Sequence, residues 1–97
     1  MTPEIAKGHI IEVLKGIQSD SGYDSDTISS STYPLQDLQG FDSKVWPYSI
    51  GEVATKLGVD IPDNANIYVS KDGKRKLTIE ESAIRVCEII NKEGRKQ

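Results

Sequence analysis

Ile10, Val13, Leu14 and Ile17 stand at helical spacing, with Ile5 more than a turn earlier. Ile50, Val53, Ala54 and Leu57 repeat the spacing, and Trp46 extends that face one turn back. Ile79, Ala83, Val86, Cys87 and Ile90 form a further such face. Apolar residues recurring at i, i+3, i+4 and i+7 give a helix one apolar stripe, which must be covered by another element. Stripes of this kind predict an all-α fold, a small three- or four-helix bundle around one core. A chain of 97 residues buries only about 60–65% of its unfolded surface. Residues 1–97 therefore read as a single domain with little room for a deep enzyme pocket.

The punctuation between the stripes supports this. Thr2 suits an N-cap, Pro3 the first helical position and Glu4 the positive end of the dipole, so a helix runs from here to near Gln18. Residues 19–34, SDSGYDSDTISSSTYP, are rich in Ser and Asp and offer nothing to anchor a helix or a buried strand. They are expected to be a long, partly mobile loop; loops beyond about 12–15 residues are uncommon unless functional or flexible. Leu35 and Leu38, with a turn at Gly40, pin its far end. Gly58 stops the second main helix. Pro47 leaves its start open: near Trp46, or at Ser43 with some distortion. A short helical turn can follow Pro62. NIYVSKDGKRKLT flanks Asp72-Gly73, a turn signal, and predicts a short hairpin or ordered loop. Thr78 and Glu81 form a capping box for the last helix, which ends at Gly94 and a basic tail, 93–97.

Charge and rare residues narrow the function classes. With 12 basic against 15 acidic residues the net charge is −3, poor for neutralising phosphates. One cysteine, Cys87, makes no internal disulfide, and with one histidine, His9, it is too little for a zinc site, so no metal is expected. Cys87 reads as an inert core residue compatible with a reducing compartment. His9 has no pocket-forming Ser and Asp partners nearby in sequence, and Ser29–Ser31 lack the glycines of a phosphate cradle. No enzyme is expected. No apolar run approaches the roughly 18 residues of a membrane span, and Met1-Thr2-Pro3-Glu4 does not open a signal peptide. The expectation is a cytoplasmic protein without membrane contact.

Gly40-Phe41-Asp42-Ser43 resembles the acyl carrier protein family where its second helix begins. The likeness continues in Val59-Asp60-Ile61-Pro62-Asp63 at a similar distance downstream, in Leu35, Asp37 and Leu38 upstream, and in Leu77-Thr78-Ile79 at the start of the last helix. It covers most of the chain, with its specific residues within about 30 positions. The resemblance implies a bundle of acyl-carrier type in which Ser43 takes a 4'-phosphopantetheine arm as a phosphodiester. Free amides and the dipole of a helix N-terminus favour such an anion. Asp42 would cap the helix and assist modification. The arm would carry an acyl group as a thioester, as in fatty acid or polyketide biosynthesis. The partners implied are a phosphopantetheinyl transferase and acyl-handling enzymes, met by a monomer. Val45, Pro47 and Ile61 would join the docking face. Two residues depart from the family: Lys44 stands where it has Leu, and Pro47 is unusual so early in the helix.

Two other readings stay open. One is an unmodified carrier-like interaction module, with Lys44 marking the loss of standard partners. The other is a winged helix-turn-helix, since SIGEVATKLGVDIPDN resembles the opening of regulators of the mercury-resistance type. Pro62 would then open a recognition helix, and Lys71, Lys74, Arg75 and Lys76 would sit on a basic wing; against this, the recognition helix would contain Asp63, Asn64 and Asn66 and no Lys or Arg. Trp46 and Tyr48 suit a partner surface, although spacing places Trp46 in the core beside Ile50.

Overall fold

Thr2 is extended (φ −109°, ψ 153°) and its Oγ1 accepts the Ile5 amide at 3.4 Å. Pro3 follows in the first turn, where its missing amide costs nothing, and α1 runs Pro3–Asp20. The computed structural model describes residues 2–42, 44–61, 66–70 and 72–94, with side chains through Asn91. Among these, α2 (Pro34–Asp37), α3 (Val45–Leu57) and α4 (Ile79–Gly94) follow α1, and no strand forms. The protein is a small all-α fold. The turn expected after Pro62 and the tail from 95 lie outside the described residues. Among the described residues, no helix is long and apolar enough to cross a membrane.

The first helix outlasts its expected end at Gln18 by two residues. Its stop is Gly22, at φ +81°, with Gly22 N–H donating to Ser19 O at 3.0 Å and Tyr23 N–H to Gln18 O at 2.8 Å. This paired pattern satisfies carbonyls a helix end leaves open, and it needs a residue tolerant of positive φ. Gly58 closes α3 identically: it sits at φ +67°, its N–H donates to Thr55 O and Val59 N–H donates to Ala54 O.

The three stripes meet as their spacing dictates, with α1 packed against both α4 and α3. Ile10, Leu14, Val53, Val86 and Ile79 are fully buried, and Ile50 nearly so. Each contributes about 1.5–3 kcal/mol by leaving water. Ile5 is 51% exposed, and Ala6, one turn before Ile10, faces the core instead. Trp46 is half-buried against the core, and Cys87 is buried with its thiol pKa pushed up by desolvation.

The loop 21–33 has neither helix nor strand, yet it is built into the fold. Ile28 joins the core and Thr32 is buried, its Oγ1 accepting the Ser29 amide at 2.9 Å. Ser30 O and Thr32 O accept the amides of Glu80 and Ile79, each at 2.9 Å. Those are the first amides of α4, which no helical carbonyl reaches. The capping box completes the set: Glu81 N–H donates to Thr78 Oγ1 at 3.2 Å and Thr78 N–H to Glu81 Oε1 at 3.0 Å. That bond from Thr78, first, lowers the Glu81 pKa. Leu35 and Leu38 pack on the core as expected.

The segment before α4 is a hairpin reduced to one bridge, Val69 with Lys76. Leu77 N–H donates to Tyr68 O at 2.9 Å and Ser70 N–H to Arg75 O at 2.7 Å. The connection therefore spans 71–74, longer than a two-residue turn at Asp72-Gly73. Asp72 explains why: its carboxylate accepts from the Ser70 hydroxyl and the Lys74 amide, and both bonds hold its pKa low.

Candidate functional site

Phe41 anchors the approach to α3. It is buried, and its ring meets Tyr68 edge-on at 5.4 Å and 79°. Just before it Gly40 adopts φ +72°, and a Cβ built there would lie 2.8 Å from Tyr23 Cε2 and 2.9 Å from its hydroxyl. Gly40 is therefore favoured by its positive φ, and any side chain there would also have to displace the end of the Tyr23 ring. Gly40→Ala is expected to cost about 1–2 kcal/mol from the backbone alone, read as a lower urea midpoint at unchanged slope.

Asp42 then organises the helix mouth. Its Oδ1 accepts Lys44 N–H at 2.9 Å, and its carbonyl accepts Val45 N–H and Trp46 N–H, both at 3.0 Å. A residue whose side chain and carbonyl take the opening amides is acting as the cap. Lys44 itself is already helical (φ −89°, ψ −30°) and makes no side-chain cap. Pro47 falls in the first turn of α3, where no amide is missed. Asp42 thus accepts the opening amides from one residue ahead of 43, with a consequence the sequence hides. The amides of Lys44, Val45 and Trp46 are occupied, and residue 47 has none. The free amides expected to favour an anion are absent over 44–47.

Ser43 lies outside the described residues. Its neighbours Asp42 and Lys44 are both exposed. The expected docking residues divide: Pro47 is exposed, Val45 is half-buried against the core, and Ile61 is buried at 8% exposure. Ile61 therefore belongs to the core and not to a docking face. It packs in the same buried core as Ile67 and Phe41. Tyr48, 60% exposed, takes its place as the large exposed side chain of α3.

The pattern did not single out the pair Ser49 and Tyr68. Both are fully buried. Ser49 Oγ donates to Trp46 O at 2.7 Å, leaving the Tyr68 hydroxyl to donate to Ser49 Oγ, also at 2.7 Å. The pair ties α3 to the segment before α4 and satisfies both hydroxyls. Burial pushes the Tyr68 pKa far above the ordinary tyrosine value. A lone Tyr and Ser in a sequence carry no sign of pairing at this separation.

The residues after the expected recognition helix are not helical. A recognition helix opened by Pro62 would have to continue through 66–70, where Ile67 and Tyr68 form a turn and Val69 a bridge. Residues 62–65, where such a helix would open, lie outside the described residues. Lys74, Arg75 and Lys76 are exposed, and Arg75 pairs with Glu81 at 3.1 Å. His9 Nδ1 lies 3.3 Å from Glu12 Oε1 on α1, away from the residues around Ser43 in sequence.

Comparison with protein-family models, with curated proteins and with solved structures finds no significant match to the chain.

Proposed function

We propose that the protein is an acyl carrier-like module of acyl-carrier fold type, holding an acyl group as a thioester on a 4'-phosphopantetheine arm at Ser43. The observation that carries this reading is the capped entry to α3. Asp42 fixes the chain on either side of residue 43 and leaves both flanking residues exposed. A modifying enzyme needs a hydroxyl it can reach, and the exposure of Asp42 and Lys44 favours that. The order of elements supports it too: a long first helix, a long loop, a helix opening after residue 43, and a last helix against the first.

The arm's phosphodiester is an anion, and the opening amides over 44–47 cannot serve it. Lys44 is the adjacent exposed cation. On this reading Lys44 is a functional substitution for the family's Leu: it offsets charge where the amides are closed. When bound, the arm supplies a thiol for acyl transfer. The chain itself presents and orients it and is not an enzyme. A cytoplasmic monomer that meets a phosphopantetheinyl transferase and acyl-handling enzymes fits this role.

The exposure of Lys44, Pro47 and Tyr48 favours a second reading, in which the same surface binds a partner without any arm. Incubation with coenzyme A and a broad-specificity phosphopantetheinyl transferase separates the two. Intact mass is expected to rise by one arm in the wild type and to stay unchanged in Ser43→Ala. No gain with a panel of transferases leaves the unmodified module.

A further inference from the structure

Glu12, Gly16 and Asp20 stand four residues apart on α1, and Tyr48, Glu52 and Lys56 four apart on α3. Residues at that spacing share one helix face. The two rows line a groove of about 210 Å³, with Val13 and Ile17 also in its wall. Tyr48 feels the charges of Glu52 and Asp20, and its pKa is raised by Glu52 first. The end of α1 therefore lies beside the start of α3, and the rows run antiparallel.

This arrangement divides the groove by charge. Glu12 and Lys56 both line the groove away from Tyr48, and Glu12 lies 3.3 Å from His9 Nδ1 on its own helix. Asp20 and Glu52 share the other end with the Tyr48 ring. Among the described residues, neither carboxylate takes part in an ion pair. Tyr48 is 60% exposed, so its ring face is open. Gly16 keeps the middle of the groove clear: a Cβ there would meet nothing within 4 Å.

An aromatic face beside two carboxylates without a cationic partner, one of them bonded to the Tyr48 hydroxyl, matches one side chain best. A guanidinium is planar, stacks on aromatic rings, is weakly hydrated and forks onto carboxylates. We propose that the Tyr48 end of this groove docks an arginine of a partner protein, stacked on Tyr48 and paired with Glu52 and Asp20. The docking stands apart from the carrier reading, because no arm at residue 43 is needed for it.

The test is a nuclear magnetic resonance titration of the ¹⁵N-labelled protein with a capped Gly-Arg-Gly peptide, with Gly-Lys-Gly and spermidine as comparisons. Shifts confined to 12–20 and 48–56 are expected, with the lysine peptide weaker. Affinity is expected to fall about tenfold in Glu52→Gln, and comparably in Tyr48→Ala, whose side chain is exposed enough to leave the fold intact. Gly16→Leu, which fills the groove without changing charge, should also weaken binding. Three results would overturn the proposal. One is unchanged binding in these variants. Another is shifts spread over Asp24, Asp26 and Asp42. The last is spermidine matching the arginine peptide at equal concentration.

Discussion

Tyr68→Ala is expected to lower stability by about 3–5 kcal/mol, the cost of deleting a buried aromatic ring. Few changes in this chain remove more. The ring is fully buried, meets Phe41 edge-on at 5.4 Å and carries the hydroxyl that bonds to Ser49. A domain this size holds about 5–15 kcal/mol in total, so the variant should unfold at a much lower urea concentration. Tyr68→Phe isolates the hydroxyl. It keeps the ring and leaves Ser49 donating to Trp46 O, so it should cost about 1 kcal/mol.

The same residue gives a pH signature. Burial raises the folded pKa of Tyr68 above its unfolded value. The stability tied to the neutral phenol is therefore fully present below the unfolded pKa of about 10. It is lost as pH rises above that value, because only the unfolded chain gives up the proton. The loss is about 1.4 kcal/mol per pH unit for one such group. Urea midpoints compared at pH 8 and pH 11 should fall for the wild type and fall less for Tyr68→Phe. Equal falls in both would detach the alkaline loss from Tyr68.

The variant with Gly8→Ala, Gly16→Ala and Gly51→Ala together is expected to gain about 1.5–3 kcal/mol. All three glycines sit inside helices, are exposed, and lack the positive φ that Gly22, Gly40, Gly58 and Gly73 adopt. A Cβ at each would meet nothing within 4 Å. Each substitution therefore removes backbone freedom from the unfolded chain without strain in the folded one. At roughly 4–8 °C per kcal/mol for a domain of this length, the melting temperature should rise by about 6–24 °C. Gly58→Ala is the control of opposite sign, since its φ of +67° penalises any side chain.

The glycines show how far the sequence was legible. Gly58 was readable as a stop because a clear apolar stripe ends at Leu57. Gly22 does the same work for α1, but it is embedded in a run of Ser and Asp that reads as loop, so the end was placed early. The capping box at Thr78 was legible because both partners are side chains three residues apart. Its complement was not: Ser30 O and Thr32 O are backbone groups, and no residue type announces which distant amide a carbonyl will accept. Ile61 was misplaced because Ile-Pro-Asp was read through the family likeness as surface, whereas burial at that position is decided by tertiary packing.

The candidate site was legible in the same partial way. Asp42 as a cap follows from its residue type ahead of an apolar stripe. The closing of the amides of Lys44, Val45 and Trp46 follows only from the bonds Asp42 makes. The acidic groove between α1 and α3 needed the antiparallel pairing of two rows separated by some thirty residues in sequence.

The central claim is that Ser43 bears the arm. The direct measurement is tandem mass spectrometry of peptides from the protein after loading by a transferase with coenzyme A. One modified peptide is expected, spanning residue 43, that releases the pantetheine fragment and maps the phosphodiester to Ser43. An arm mapped to Ser29, Ser31 or any other serine, or no modified peptide after loading by any of a panel of transferases, would contradict it.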